Sequence, residues 1–91
     1  MAKGVVDRRE FRRDLNRVRR RGWDVERLHR IVRLLASGSP IPESARLHRL
    51  SGDWAGHWEC HIAGNWILVW TEDADTIYLE RTGTHSDIFG R

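Results

Sequence analysis

Apolar positions in the first half of the chain recur at helical spacing. Phe11, Leu15 and Val18 stand at i, i+4 and i+7 in an otherwise charged run, which predicts a helix over 8–21 with one narrow buried stripe. Asp7 reads as its N-cap and Gly22 as its end. Asp24 caps a second helix over 25–37, with Leu28, Ile31, Val32 and Leu35 facing inward and Gly38 as the stop. Leu34 widens that face, which suits a helix packed on both a sheet and a neighbouring helix. Ser39-Pro40-Ile41-Pro42 cannot continue the helix, because each proline lacks a donor and restricts the residue before it. A loop is expected from there to about Trp54, and a short strand over Lys3–Val6 precedes the helices.

From His57 the period changes to two. Trp58, Cys60 and Ile62 share one face, and His57, Glu59 and His61 share the other. Ala63-Gly64-Asn65 supplies hairpin-turn chemistry. Trp66–Trp70 is apolar throughout, as befits a central strand covered on both faces. After an acidic turn over Glu72–Thr76, Ile77–Thr82 reads as a third strand ended by Gly83. Thr84, with Asp87 three residues on, forms a capping-box pattern that starts a helical turn near His85. The expected architecture is a single α+β domain over 1–91, ordered β-α-α-β-β-β, with two N-terminal helices packed on a small, mostly antiparallel sheet.

Charge divides the chain. Residues 1–50 carry fourteen Lys/Arg against six Asp/Glu, whereas 51–91 carry two against seven, so a net +3 conceals halves of +8 and −5. Thirteen of the fourteen basic residues are Arg, whose planar fork suits paired hydrogen bonds to phosphate oxygens. Arg8, Arg9, Arg12, Arg13, Arg17 and Arg20 cover the first helix, either as a polyanion-binding face or as an ordinary solvated one. No apolar run approaches the ~20 residues a bilayer span needs. The opening residues lack the apolar stretch of a secretory signal, and the single Cys60 excludes an internal disulfide, so a cytoplasmic protein without membrane contact is expected.

Histidine carries the candidate chemistry. His48 lies in the loop after the helices, His61 on the charged face of the first hairpin strand, and His85 at the start of the C-terminal turn. His57, Cys60 and His61 do not make a metal site, because strand alternation turns Cys60 away from the two imidazoles. The same alternation puts Cys60 in the core, where it is a small hydrophobe and no nucleophile. The chain contains no glycine-rich phosphate loop, and neither metal nor cofactor is expected. Metal-free RNA cleavage fits what remains. The substrate's own 2′-hydroxyl is the nucleophile, so the protein need supply only a base, an acid and a cation.

Three ordered blocks carry a more specific signal: Leu47-His48-Arg49-Leu50-Ser51-Gly52-Asp53-Trp54-Ala55-Gly56, Glu59-Cys60-His61-Ile62-Ala63-Gly64-Asn65-Trp66-Ile67-Leu68-Val69, and Arg81-Thr82-Gly83-Thr84-His85-Ser86-Asp87-Ile88-Phe89. Together they resemble the YafQ branch of the RelE/ParE toxin superfamily over most of residues 46–90. The resemblance implies a type II toxin that cleaves mRNA in the ribosomal decoding site and is silenced by a cognate antitoxin. It places the family's active-site histidines on His48, His61 and His85, its substrate-stacking aromatic on Phe89, and a second substrate-binding residue, the tryptophan after the hairpin turn, on Trp66. It also puts Arg81 within reach of the scissile phosphate. His85 is then the expected acid, and either His61 or His48 the base. The arginine helix would dock on ribosomal RNA, and a free toxin of this size is expected to be monomeric. One position departs from the family: where its members carry Pro-Asp-Trp, this chain has Gly64-Asn65-Trp66, and asparagine hydrogen-bonds but does not accept a proton. That departure keeps a weak or inert RNA-binding relative in view, alongside a ParE-like poison of gyrase.

Overall fold

The computed structural model describes residues 2–90. Strand β1 (Gly4–Asp7) leads into helix α1 (Arg9–Arg20), and helix α2 (Val25–Ser37) follows. Two single 3-10 turns, Glu43–Ala45 and Gly52–Trp54, flank a two-residue strand β2 (His48–Arg49). Strands β3 (Trp58–Ala63), β4 (Trp66–Glu72) and β5 (Thr76–Gly83) form an antiparallel meander, and helix α3 (His85–Phe89) closes the chain. The sheet order is β1-β5-β4-β3-β2, with only β1 and β5 parallel. The fold is α+β, as the patterning predicts. None of the described helices is long and apolar enough to cross a membrane.

The helix limits follow from their ends. Asp24 accepts a hydrogen bond from the Glu26 N–H, and Gly38 closes α2 in the left-handed conformation at φ 73°. Asp7 is not the cap of α1. It is the last residue of β1, paired with Leu79, and the capping position falls to Arg8, whose N–H donates to the Leu79 carbonyl. Pairing with β5 takes the position that local propensity assigns to a cap. The expected loop over 39–54 is also more ordered than predicted, since His48 and Arg49 pair with Glu59 and Trp58.

Strand β4 is buried on both faces. Toward α1 and α2, the core joins Phe11, Leu15, Val18 and Leu28 to Cys60, Ile62, Trp66, Leu68, Trp70, Ile77 and Leu79. On the opposite face a smaller cluster of Ile67, Val69 and Ile88 seats α3, with Leu50, Trp54 and Phe89 at its margin. One face therefore stabilises the fold, and the other carries a short helix and the rim residues beside it.

Candidate active site

Glu59 organises that second face. Alternation along β3 turns its side chain away from the main core, and the residue is only 2% exposed. One carboxylate oxygen, Oε2, lies 3.2 Å from His48 Nε2 and 3.2 Å from His85 Nε2. His48 comes from β2, directly across the ladder from Glu59, whereas His85 comes from the first turn of α3. His61, two residues along β3, brings its ring to 5.9 Å from that of His85. Phe89 stacks on His85 with centroids 5.8 Å apart, and Trp54 meets Phe89 edge-on at 5.0 Å. Two imidazoles distant in sequence thus meet one carboxylate, with His61 next to His85, beside a cleft of about 620 Å³ bounded by Trp54 and Phe89.

The hydrogen-bond partners of each ring determine what it can do. His48 Nδ1 faces the Arg46 carbonyl at 2.8 Å and its Nε2 faces Glu59, so both ring nitrogens are engaged by oxygen atoms. His61 Nδ1 lies 3.0 Å from the Gly64 carbonyl. A proton on that nitrogen leaves the Nε2 lone pair of a neutral ring open. His85 engages Glu59 through Nε2 alone.

A second set of contacts holds α3. Thr84 and Asp87 make the reciprocal capping box that the sequence predicts. Asp87 is also gripped by Arg21 at 2.6 and 2.9 Å, with Arg17 at 3.6 Å. The Arg21 hydrogen bond holds the Asp87 carboxyl well below the usual carboxylate range, against the opposing effect of partial burial. Gly83 makes this closure possible. Its φ is 143°, and a Cβ there would come within 2.8 Å of Asp87 Oδ2. Burial pushes the Cys60 thiol up to about 12, with the adjacent Glu59 charge adding to the effect, so Cys60 is inert as a nucleophile.

Several expected site residues lie elsewhere. Trp66 is buried on the helix-facing side, packed against Trp23 at 5.3 Å, with its indole N–H donating to Thr82 Oγ1 at 2.8 Å. The expectation that it contacts substrate is corrected: it is a core residue. Arg81 is also corrected, because its guanidinium donates to Asp14 at 2.7 and 3.2 Å and does not line the cleft. The Asp14 hydrogen bond strengthens its hold on the proton. Asn65 sits exposed at the β3–β4 turn and lines two neighbouring grooves, not the cleft around Glu59. On α1, Arg9, Arg12, Arg13 and Arg20 are exposed, whereas Arg17 turns to Asp87 and Arg8 to Glu80 and the Tyr78 ring.

One site residue received no role from the sequence. Glu59 was readable as a neighbour of His61 on one strand face, but its link to His48 and His85 exists only once the sheet pairs. Trp54, one of the tryptophans readable as a base-stacking platform, forms a wall of the cleft.

The YafQ toxin family model, described as a bacterial toxin of a type II toxin–antitoxin system, matches residues 4–90. The mRNA interferase toxin YafQ of Escherichia coli K12 is 30% identical over 82 residues, covering 89% of each chain. The crystal structure of YafQ from E. coli BL21(DE3) superposes with a TM-score of 0.91 at 27% identity, covering 97% of this chain and 99% of that one. YafQ in the E. coli DinJ–YafQ toxin–antitoxin complex gives a TM-score of 0.89 at 27% identity over 99% of this chain and all of that one.

Proposed function

The chain belongs to the YafQ family of bacterial type II toxins, and from that premise we propose that it is an endoribonuclease that cleaves ribosome-bound mRNA and is neutralised by a cognate antitoxin. The observation that carries the reading is the buried carboxylate of Glu59, one oxygen of which is shared by His48 and His85, with His61 beside His85. That set supplies a base and an acid at one rim. No covalent enzyme intermediate is required.

His61 takes the 2′-hydroxyl proton on its open Nε2. The 2′-oxygen attacks phosphorus, the bond to the 5′-oxygen breaks, and His85 gives a proton from Nδ1 to that leaving oxygen. The products are a 2′,3′-cyclic phosphate and a 5′-hydroxyl. Glu59 holds the His85 ring by its Nε2, which leaves Nδ1 to serve the leaving oxygen. It also orients His48 at the edge of the cleft. Phe89, half-buried, stacked on His85 and lining the cleft, offers a platform for a base next to the cleaved bond. In this scheme Asn65 is not the proton acceptor, so the asparagine leaves the acid–base pair intact. The exposed arginines of α1 lie across the sheet from the cleft and suit salt-sensitive contacts with ribosomal phosphates.

The test is cleavage of a defined message on purified ribosomes, with one variant carrying a single 2′-deoxy residue at the mapped site. Cuts ending in a 5′-hydroxyl, and abolished by the deoxy substitution, are expected. Cleavage that survives it overturns the mechanism, and gyrase-dependent DNA breaks without RNA cleavage would establish the ParE-like alternative. In the same assay Glu59→Gln, which preserves size but removes the charge, is expected to slow cleavage by about 10–100-fold, as the loss of an orienting partner does elsewhere. An unchanged rate would show that Glu59 only fills space.

A further inference from the structure

A second groove of about 650 Å³ runs from His61 past the β3–β4 turn to α2 and the Glu43–Ala45 turn. We propose that it is a subsite of the same active centre. It would hold the message nucleotide adjacent to the scissile one, with backbone phosphate against Arg27, Arg30 and Arg46. The proposal rests on the ribonuclease reading above.

Charge distribution is the first argument. The cleft at Glu59 has no arginine in its lining and contains two carboxylates, Glu59 and Asp53, so it offers a phosphodiester backbone no fixed cation. The groove beyond His61 has the opposite character: three arginines from two separate segments and no acidic residue. Those arginines are not consumed internally. Arg33, on the same helix, is the one that pairs with Glu26 at 2.7 Å, whereas Arg27, Arg30 and Arg46 form no ion pair among the described residues. A polyanionic strand that enters the cleft therefore finds its neutralising charge in the neighbouring groove.

Continuity is the second. His61 lines the groove, and its ring stands 5.9 Å from His85, which lines the cleft, so one strand can cross from one to the other over the proposed base. The third concerns Arg46. It is the only non-glycine at positive φ among the described residues, at 50°, and its carbonyl faces His48 Nδ1. The same strained residue thus orients a site imidazole with its backbone and contributes its side chain to the groove. Ile31, Leu34 and Pro42 give the groove an apolar floor for a base face. The Asn65 amide offers a donor and an acceptor to a base edge, the means by which single-stranded RNA is read.

Arg27→Glu/Arg30→Glu changes two exposed side chains and tests the assignment. In single-turnover cleavage on ribosomes, the toxin concentration for half-maximal rate is expected to rise about tenfold or more, with the maximal rate retained, as for lost charged hydrogen bonds. Affinity for ribosomes lacking message is expected to stay unchanged. A message with a 2′-deoxy block at the cleavage site and 4-thiouridine beside it is expected to cross-link to residues 27–34, 42–46 or 62–65. Equal loss of affinity for empty ribosomes would make the groove a ribosomal RNA contact. Loss of antitoxin binding with cleavage intact would make it an antitoxin contact, and either result overturns the subsite. A parent that cleaves alongside an unaffected variant refutes the groove alone. A parent that does not cleave refutes the ribonuclease reading itself.

Discussion

His85→Ala is expected to lower the rate of message cleavage by about 10²–10⁴, the range for losing one positioned proton donor, while leaving the fold intact. The side chain is 46% exposed, so its removal opens no cavity. Helix α3 retains its capping box through Thr84 and Asp87 and its seat through Ile88. The loss should then lie in chemistry and not in folding, and thermal unfolding of the variant should match that of the parent. A message with sulfur in place of the bridging 5′-oxygen separates acid from base. Thiolate leaves without protonation, so this substrate should restore much of the rate to His85→Ala and none to His61→Ala. Rescue of both, or of neither, would contradict the assigned roles. Cleavage by His85→Ala within about tenfold of the parent would remove it from proton transfer altogether.

The contrast between these two histidines and Trp66 shows where reading the chain succeeds. Helices α1 and α2 were legible because Phe11, Leu15, Val18 and Leu28 repeat at a helical period that burial enforces. The meander was legible because its turns carry glycine, asparagine and clustered acids. The three histidine positions were legible through ordered motif blocks. What brings them together was not, since Glu59 acts through two residues that only sheet pairing and α3 deliver. Trp66 shows the reverse error. Its two-residue spacing with Leu68 and Trp70 marks a core face, and that periodicity outweighs the motif that suggested a substrate contact. Arg81 failed for another reason. Its role came from the resemblance alone, whereas strand alternation groups it with Ile77 and Leu79 on the helix-facing side, where Asp14 of α1 takes its guanidinium. Strand β2 was invisible because two residues are too few to show any period.

Asp14→Ala is expected to destabilise the protein by about 3 kcal/mol, the lower part of the range for breaking a buried ion pair. Asp14 is 2% exposed within a helix whose other surface residues are mostly arginine, and nothing in its sequence position separates it from a solvated acid. Its carboxylate receives Arg81 Nε, Arg81 Nη2 and the backbone N–H of Thr82. Strand β1 stops opposite Leu79, so past that point Asp14 does for Thr82 what a strand neighbour does earlier in β5. Alanine would leave a buried amide without an acceptor and Arg81 without its partner, although the arginine's partial exposure lets water recover some of the cost. The expected signature is a lower urea midpoint at unchanged slope, and a melting temperature lower by about 12 °C or more for a domain of this size. Asp14→Leu combined with Arg81→Met should recover part of the loss, because an apolar pair carries no stranded charge. A loss under about 1 kcal/mol would show that the network behaves as a surface pair. The consequence extends to the site, since Thr82 leads through Gly83 and Thr84 into His85. A loosened end of β5 should lower activity in Asp14→Ala below what its folded fraction accounts for, and the double replacement should restore stability more fully than cleavage.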